Sequence, residues 1–134
     1  MKTKAIITEA NVHDAVGILE LQKLAYQSEA TLYSDWNLPP LTQTLEEIRV
    51  ELKNKVFLTA HYGGLLVGSV RAKTSEDDGC SIRRLIVHPK HQGQSIGTQL
   101  MHAIEARFPS ATRFVLFTGE RSEGNIRLYR RLGY

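Results

Sequence analysis

The spacing of apolar and polar positions changes along the chain, and each change predicts an element. Residues 4–8, Lys-Ala-Ile-Ile-Thr, read as a short strand. Asn11, with Asp14 in the box position, predicts a helix start, and Val12, Ala15, Val16, Ile18, Leu19 and Leu21 keep helical spacing to about Tyr26. The stretch from Ser28 to Pro40 is looser, and Pro39-Pro40 exclude a helix interior there. Thr42 or Thr44 can cap a second helix that runs to about Lys53, with Leu45, Ile48 and Leu52 on one face. The period then shortens. Val56 to Tyr62 and Leu65 to Lys73 read as strands joined at Gly63-Gly64, a hairpin signal. Glu76-Asp77-Asp78-Gly79 forms a turn before a third strand, Ser81 to His88, closed by Pro89. Residues 90–97 form a loop opening into a helix with Leu100, Met101, Ala103 and Ile104 on its apolar side, ended by Phe108-Pro109. Arg113 to Thr118 reads as a strand and Glu123 to Arg131 as a last helix, stopped by Gly133.

The order is β-α-α-β-β-β-α-β-α, without repeats or low-complexity stretches. Three strands joined by tight turns pair antiparallel; the later strand–loop–helix–strand unit requires a parallel pair. The fold class is therefore α/β of the α+β type, with a mixed, mostly antiparallel sheet. A length of 134 residues is one domain, 1–134, with room for one core.

Composition narrows the function classes. The longest apolar runs are short, such as Leu65-Leu66-Val67, so none spans a bilayer. The start, Met1-Lys2-Thr3-Lys4, lacks the features of a signal peptide, and a cytoplasmic protein is the simplest expectation. A single cysteine, Cys80, excludes an internal disulfide and a cysteine-based metal site, and no metal is expected. Its place at a turn suggests an inert thiol. The net charge is +3, from 17 basic and 14 acidic residues, with no basic block of the kind that marks a nucleic-acid partner. Gly-x-x-x-x-Gly-Lys-Ser/Thr, the phosphate loop of nucleotide hydrolases, does not occur.

The most informative segment runs from Leu85 to Thr98. A strand ends at a proline, and a loop of small residues turns directly into a helix. The first amides of such a helix lack intrahelical partners and sit at the positive end of its dipole, so the terminus can hold a phosphate. The same glycines would also serve a loop that is merely tight. The segment resembles the acetyl-CoA loop of the GNAT superfamily of N-acyltransferases, Gln/Arg-x-x-Gly-x-Gly/Ala. Gln92 takes the first position, Ser95 replaces the first glycine and Gly97 is the second. Serine is small and keeps its amide but resists positive φ, so the loop amides survive if position 95 is helical. Leu85, Val87 and Pro89 match the family's Leu-x-Val-x-Pro, and Asn125 to Tyr134 resemble its closing Asn-x-x-x-Leu-Tyr-x-x-x-Gly-aromatic helix.

The resemblance implies a sheet splayed into a V around acetyl-CoA as co-substrate. The backbone of Leu85, Ile86 and Val87 would pair with the pantetheine arm. The amides of Gln92, Gly93, Gln94, Ser95, Ile96, Gly97 and Thr98 would hold the pyrophosphate, and Asn125 would bond the pantetheine region. A plain capping role is the alternative for Asn125. Tyr129 matches the family tyrosine that protonates the leaving sulfur; a core tyrosine is the alternative. The implied activity is acetyl transfer to a primary amine of a small molecule, amino acid or peptide. In relatives a further strand follows the Gly-aromatic pair. Without it an uncovered sheet edge would favour a homodimer.

The general base is not evident. Relatives carry a carboxylate on the strand before the loop, where this chain reads Ser81-Ile82-Arg83-Arg84. Arginine stays protonated and cannot serve. Glu120 is a candidate acceptor of the amine proton, and His61 and His88 titrate in the right range, although His88 suits a capping role. Arg83 or Arg84 facing the cleft would favour a substrate with a carboxylate or phosphate; a salt bridge to Glu76, Asp77 or Asp78 is the alternative. Tyr33, Asp35 and Trp36 would either line an acceptor site or pack over the sheet. Arg127, Arg130 and Arg131 suit a solvated helix face or a contact to a cofactor phosphate. A CoA-binding module without catalysis is the alternative to an enzyme.

Overall fold

The computed structural model describes residues 4–117 and 123–134. Five strands form one sheet in the order β1-β2-β3-β4-β5: Ile6–Glu9, Val56–Tyr62, Leu65–Thr74, Cys80–Val87 and Phe114–Leu116. The first four pair antiparallel, and β4 pairs parallel with β5. Helices are α1 (Ala15–Tyr33), α2 (Pro39–Thr42), α3 (Leu45–Asn54), α4 (Ile96–Ala106) and α5 (Glu123–Arg131). A mixed α/β domain with a mostly antiparallel sheet is what the change of period predicts.

Period-two alternation decides which face each strand residue serves. Phe57 turns to one side, where it packs with Ala15 and Ile18 of α1 and Ile48 of α3. Leu58 and Ala60 turn to the other, where they join Val70, Ala72, Ile82 and Leu85 beneath Ile96, Leu100, Met101 and Ile104 of α4. The sheet is thus covered by α1 and α3 on one face and by α4 on the other.

Two elements depart from the expected boundaries. α1 continues to Tyr33, where Ser34 enters the left-handed region at φ 52 and closes the helix through its N–H to Ala30 and Thr31. Polar residues hide the helical period after Tyr26, yet Ala30 is fully buried. Pro39 and Pro40 occupy the first turn of α2, where the N–H they lack would have no acceptor. Of the two caps the sequence offers for α3, Thr44 takes the position, with a complete capping box to Glu47.

Beneath α1–α3 lies a polar cluster that no local pattern announces. Arg71, in mid-β3, is 1% exposed. Its Nη1 donates to Glu51 Oε2 at 2.7 Å, its Nη2 to Gln22 Oε1 at 2.7 Å, and its guanidinium carbon lies 4.4 Å over the Phe57 ring. Gln22 Nε2 donates to Pro40 O at 2.8 Å and to Gln43 Oε1 at 2.9 Å. The cluster ties all three N-terminal helices to the sheet. Burial pulls the Arg71 pKa down to about 10; Glu51 works against this and Arg84 adds to it, and the group stays cationic at neutral pH.

Candidate functional site

β4 is built differently in its two halves. From Cys80 to Ile82 it pairs with β5 in parallel, ending at Ile82↔Leu116. Beyond Ile82 that edge has no strand partner among the described residues. On the other side the register with β3 slips: Ser69 faces Ile86 and Arg71 faces Arg83. One extra residue on β4 is a bulge, and Arg84 carries it at φ 57. The bulge lies just beyond Ile82, the last β4 residue paired with β5 among the described residues. Leu85, Ile86 and Val87 therefore lie along an open edge whose amides and carbonyls can receive an extended ligand.

The strand leads into the predicted loop. His88 Nδ1 accepts from Lys90 N at 3.1 Å, so this histidine caps the turn Pro89–His91. Gln92 and Gly93 are exposed, and Gln94 and Ser95 half-buried. The condition set for the loop amides, a helical position 95, is not met: Ser95 has φ 67, in the left-handed region, and its side chain makes no capping bond, yet α4 still starts directly after it. The first intrahelical bond of α4 runs from Gln99 N to Ser95 O, which leaves the amides of Ile96, Gly97 and Thr98 without an intrahelical acceptor. Ile96 is buried in the core, so only its amide can serve a ligand. Such a terminus is built for an anionic group.

A left-handed backbone costs an L-residue about 1–2 kcal/mol, and glycine forgoes that cost but loses roughly 0.5–1 kcal/mol through chain entropy. Ser95→Gly is therefore expected to stabilise the protein by about 0.5 kcal/mol. A urea titration checks this; a lower midpoint would show that Ser95 is held by compensating contacts.

Gly97 joins the parts of the site. A Cβ there would stand 2.9 Å from Leu128 Cδ2 of α5, and 3.8 Å from both Leu85 Cδ2 and Val87 Cγ2 of β4. Glycine thus lets the start of α4, the open half of β4 and α5 meet. Tyr129, 6% exposed, shares the core cluster of Leu85 and Ile96. Its ring stands edge-on to Tyr134, 6.2 Å between centroids. Asn125 is half-buried inside α5, past the first helical residue, so it is not a capping residue.

The remaining candidates separate. Cys80 is fully buried, and burial first, then the Glu105 charge, pushes its thiol up to about 11, so it stays protonated. Trp36 is 61% exposed and does not pack over the sheet, and Asp35 accepts from Asn37 N in a local turn. Arg127, Arg130 and Arg131 are exposed. Neither Arg83 nor Arg84 pairs with Glu76, Asp77 or Asp78; Asp77 pairs with Arg113. Glu120 lies outside the described residues. Among the described residues, no helix is long and apolar enough to cross a membrane, and no group of three His, Cys, Asp or Glu side chains could hold a metal ion.

The family model described as "Acetyltransferase (GNAT) family" matches residues 17–134. The chain belongs to the GNAT family of acetyltransferases. No curated protein matches it in sequence. Solved GNAT structures share its fold. The PaiA N-acetyltransferase of Thermoplasma acidophilum, in complex with coenzyme A, has a TM-score of 0.82 at 15% identity, over 98% of this chain and 89% of that one. The ribosomal-protein-alanine N-acetyltransferase of Brucella melitensis biovar Abortus 2308 has a TM-score of 0.73 at 18% identity, over 98% and 92%. A GNAT family acetyltransferase of Streptococcus pneumoniae TIGR4 has a TM-score of 0.70 at 25% identity, over 98% and 87%. In this GNAT acetyltransferase, sequence reasoning missed the Arg84 bulge and the Arg71 cluster. Neither position carries a glycine, proline or periodic signal that would have shown it.

Proposed function

We propose that this GNAT acetyltransferase uses acetyl-CoA as acyl donor and transfers the acetyl group directly to a primary amine. One observation carries the reading: beyond the bulge at Arg84 the edge of β4 has no strand partner among the described residues, just before a helix start whose first three amides lack an intrahelical acceptor. An extended chain ending in a diphosphate fits that pair of features. Leu85, Ile86 and Val87 would hold the chain as an added strand. The amides from Gln92 to Thr98 would hold the diphosphate, with Asn125 beside the chain. The relatives named PaiA N-acetyltransferase and ribosomal-protein-alanine N-acetyltransferase support an amine acceptor.

The transfer forms an N–C bond and breaks a C–S bond. The amine must lose a proton, and the thiolate must gain one. Tyr129 would protonate the sulfur. β4 carries no carboxylate to serve as base, and the amine proton would leave through water, with Glu120 as a candidate acceptor. A backbone amide near Val87 would polarise the carbonyl.

Isothermal titration with acetyl-CoA, beside Thr98→Glu, tests the reading. Thr98 lies in the first turn of α4 and is half-buried. A carboxylate there suits the helix dipole but repels a diphosphate, so the fold should hold while affinity drops about tenfold or more. Thiol release in the presence of amines then reports transfer. Binding with no thiol released for any amine would point to a CoA-binding module without catalysis. No binding by folded wild-type protein would remove the enzyme reading.

A further inference from the structure

The sheet surface over β3 and β4, next to the fork where β4 and β5 part, is strongly cationic. A cleft of about 260 Å³ opens across these two strands, lined by Lys55, Arg71, Ala72, Lys73, Ser81 and Arg83. Among the described residues, ion pairs set one carboxylate, Glu51, against these cations, shared by Lys55 and Arg71. Lys73, Arg83 and Arg84 have no acidic partner among the described residues. Arg83 Nε reaches only the Ser81 hydroxyl, at 3.3 Å, and its guanidinium carbon lies 4.1 Å over the ring of Phe117, the residue after β5. It is held by stacking at the point where the strands part, with its hydrogen-bonding edge left for another group.

Arg84 supplies a second, independent sign. Its Nη1 is buried and has no hydrogen-bond partner among the described residues. It stands on the bulge, close enough to Arg71 for the two charges to repel. A buried guanidinium nitrogen without a partner, next to a second cation, is costly unless something anionic completes it.

We infer that the acceptor amine carries an anionic group, a carboxylate or a phosphate, which is read by Arg83 and Arg84 with Lys73 at the cleft wall. This rests on the acetyltransferase reading and names the substrate class of that same site. The position fits. Arg83 and Arg84 directly precede the open edge Leu85–Val87, and they lie at the opposite end of that edge from the α4 amides. An anion held at the fork would leave its amine a few bonds away, beside the open edge. A polycationic amine would meet a wall of its own sign.

The test compares matched amines by thiol release: ethanolamine against O-phosphoethanolamine, propylamine against β-alanine, with putrescine as the cationic arm. The expected result is a kcat/KM at least about tenfold higher for an anionic member than for its neutral partner, and higher than for putrescine. The pair that shows the preference tells phosphate from carboxylate. In the double variant Arg83→Gln, Arg84→Gln the ratio should fall toward one, with acetyl-CoA titration as the check on folding. Equal or better use of putrescine would overturn the inference, and so would a preference that survives the double variant. Should the protein bind acetyl-CoA but release no thiol, calorimetry of the same amines on the CoA-saturated protein decides by the same ratios. Should it not bind acetyl-CoA, the acetyltransferase reading fails separately. Inorganic phosphate is then titrated into wild type and double variant, and equal affinities would remove the anion site.

Discussion

Glu51→Ala is expected to destabilise the protein by about 3 kcal/mol, because it strands a charge in the interior. Arg71 has a side chain only 2% exposed, and among the described residues Glu51 is its one carboxylate partner. Removing that carboxylate leaves a buried guanidinium with Gln22 and Gln43 as its polar contacts. Set against a total stability of about 5–15 kcal/mol, the loss is large. Arg71→Met should cost less, about 1–2 kcal/mol, since the abandoned Glu51 still has Lys55 at 2.6 Å and is 18% exposed. Urea titrations of the two variants measure both values. The reverse order, or a Glu51→Ala cost below about 1 kcal/mol, would mean that the cluster is not organised around a desolvated arginine.

The same group sets an acid limit. Burial by itself would raise the Glu51 pKa, but the Lys55 hydrogen bond, the Arg71 charge and Gln43 outweigh it and hold the carboxyl below its ordinary 4.5. A carboxyl whose folded pKa is depressed contributes its full stability above the unfolded value and loses it as pH falls through the folded one. Wild-type stability should therefore decline below about pH 4.5 more steeply than that of Glu51→Gln, which cannot titrate. Parallel pH profiles of the urea midpoint would refute this.

Tyr129→Phe is expected to lower kcat for acetyl transfer about 100-fold, the usual yield of a positioned proton donor. The ring is 6% exposed and packed with Leu85 and Ile96, and phenylalanine fills the same volume. Acetyl-CoA affinity and the unfolding midpoint should therefore stay near wild-type values. That split between kcat and binding separates a proton donor from a packing residue. An unchanged kcat would assign the leaving-group proton to solvent and leave Tyr129 as a member of the core.

The elements nearest in sequence were the most legible. The cap at Thr42 or Thr44, the Gly63-Gly64 hairpin and the strand patterns Val56 to Tyr62 and Leu65 to Lys73 are local signals, and each corresponds to its element. The loop from Pro89 to Thr98 could be placed between strand and helix because its glycines and the apolar period after it are local too. α1 was read too short, because the helical period fades after Tyr26 while Ala30 is buried by distant residues. Helix propensity and capping act over a few residues, so the chain declares them wherever they occur.

Sequence alone determined the class of the fold, the family resemblance, and the candidate residues Leu85 to Val87, Gln92 to Thr98, Asn125 and Tyr129. Tertiary structure alone decided that Arg84 takes the bulge, that β4 parts from β5 after Ile82, and that Gly97 lies against Leu128. It also decided that Ser95 adopts a left-handed rather than a helical backbone, and that Arg71 is buried while Arg83 stacks at the fork. The reason is physical. Register, burial of a charge and the choice of partner depend on groups far apart in the chain, such as Glu51 and Arg71, and no local pattern of residues encodes which of them will meet.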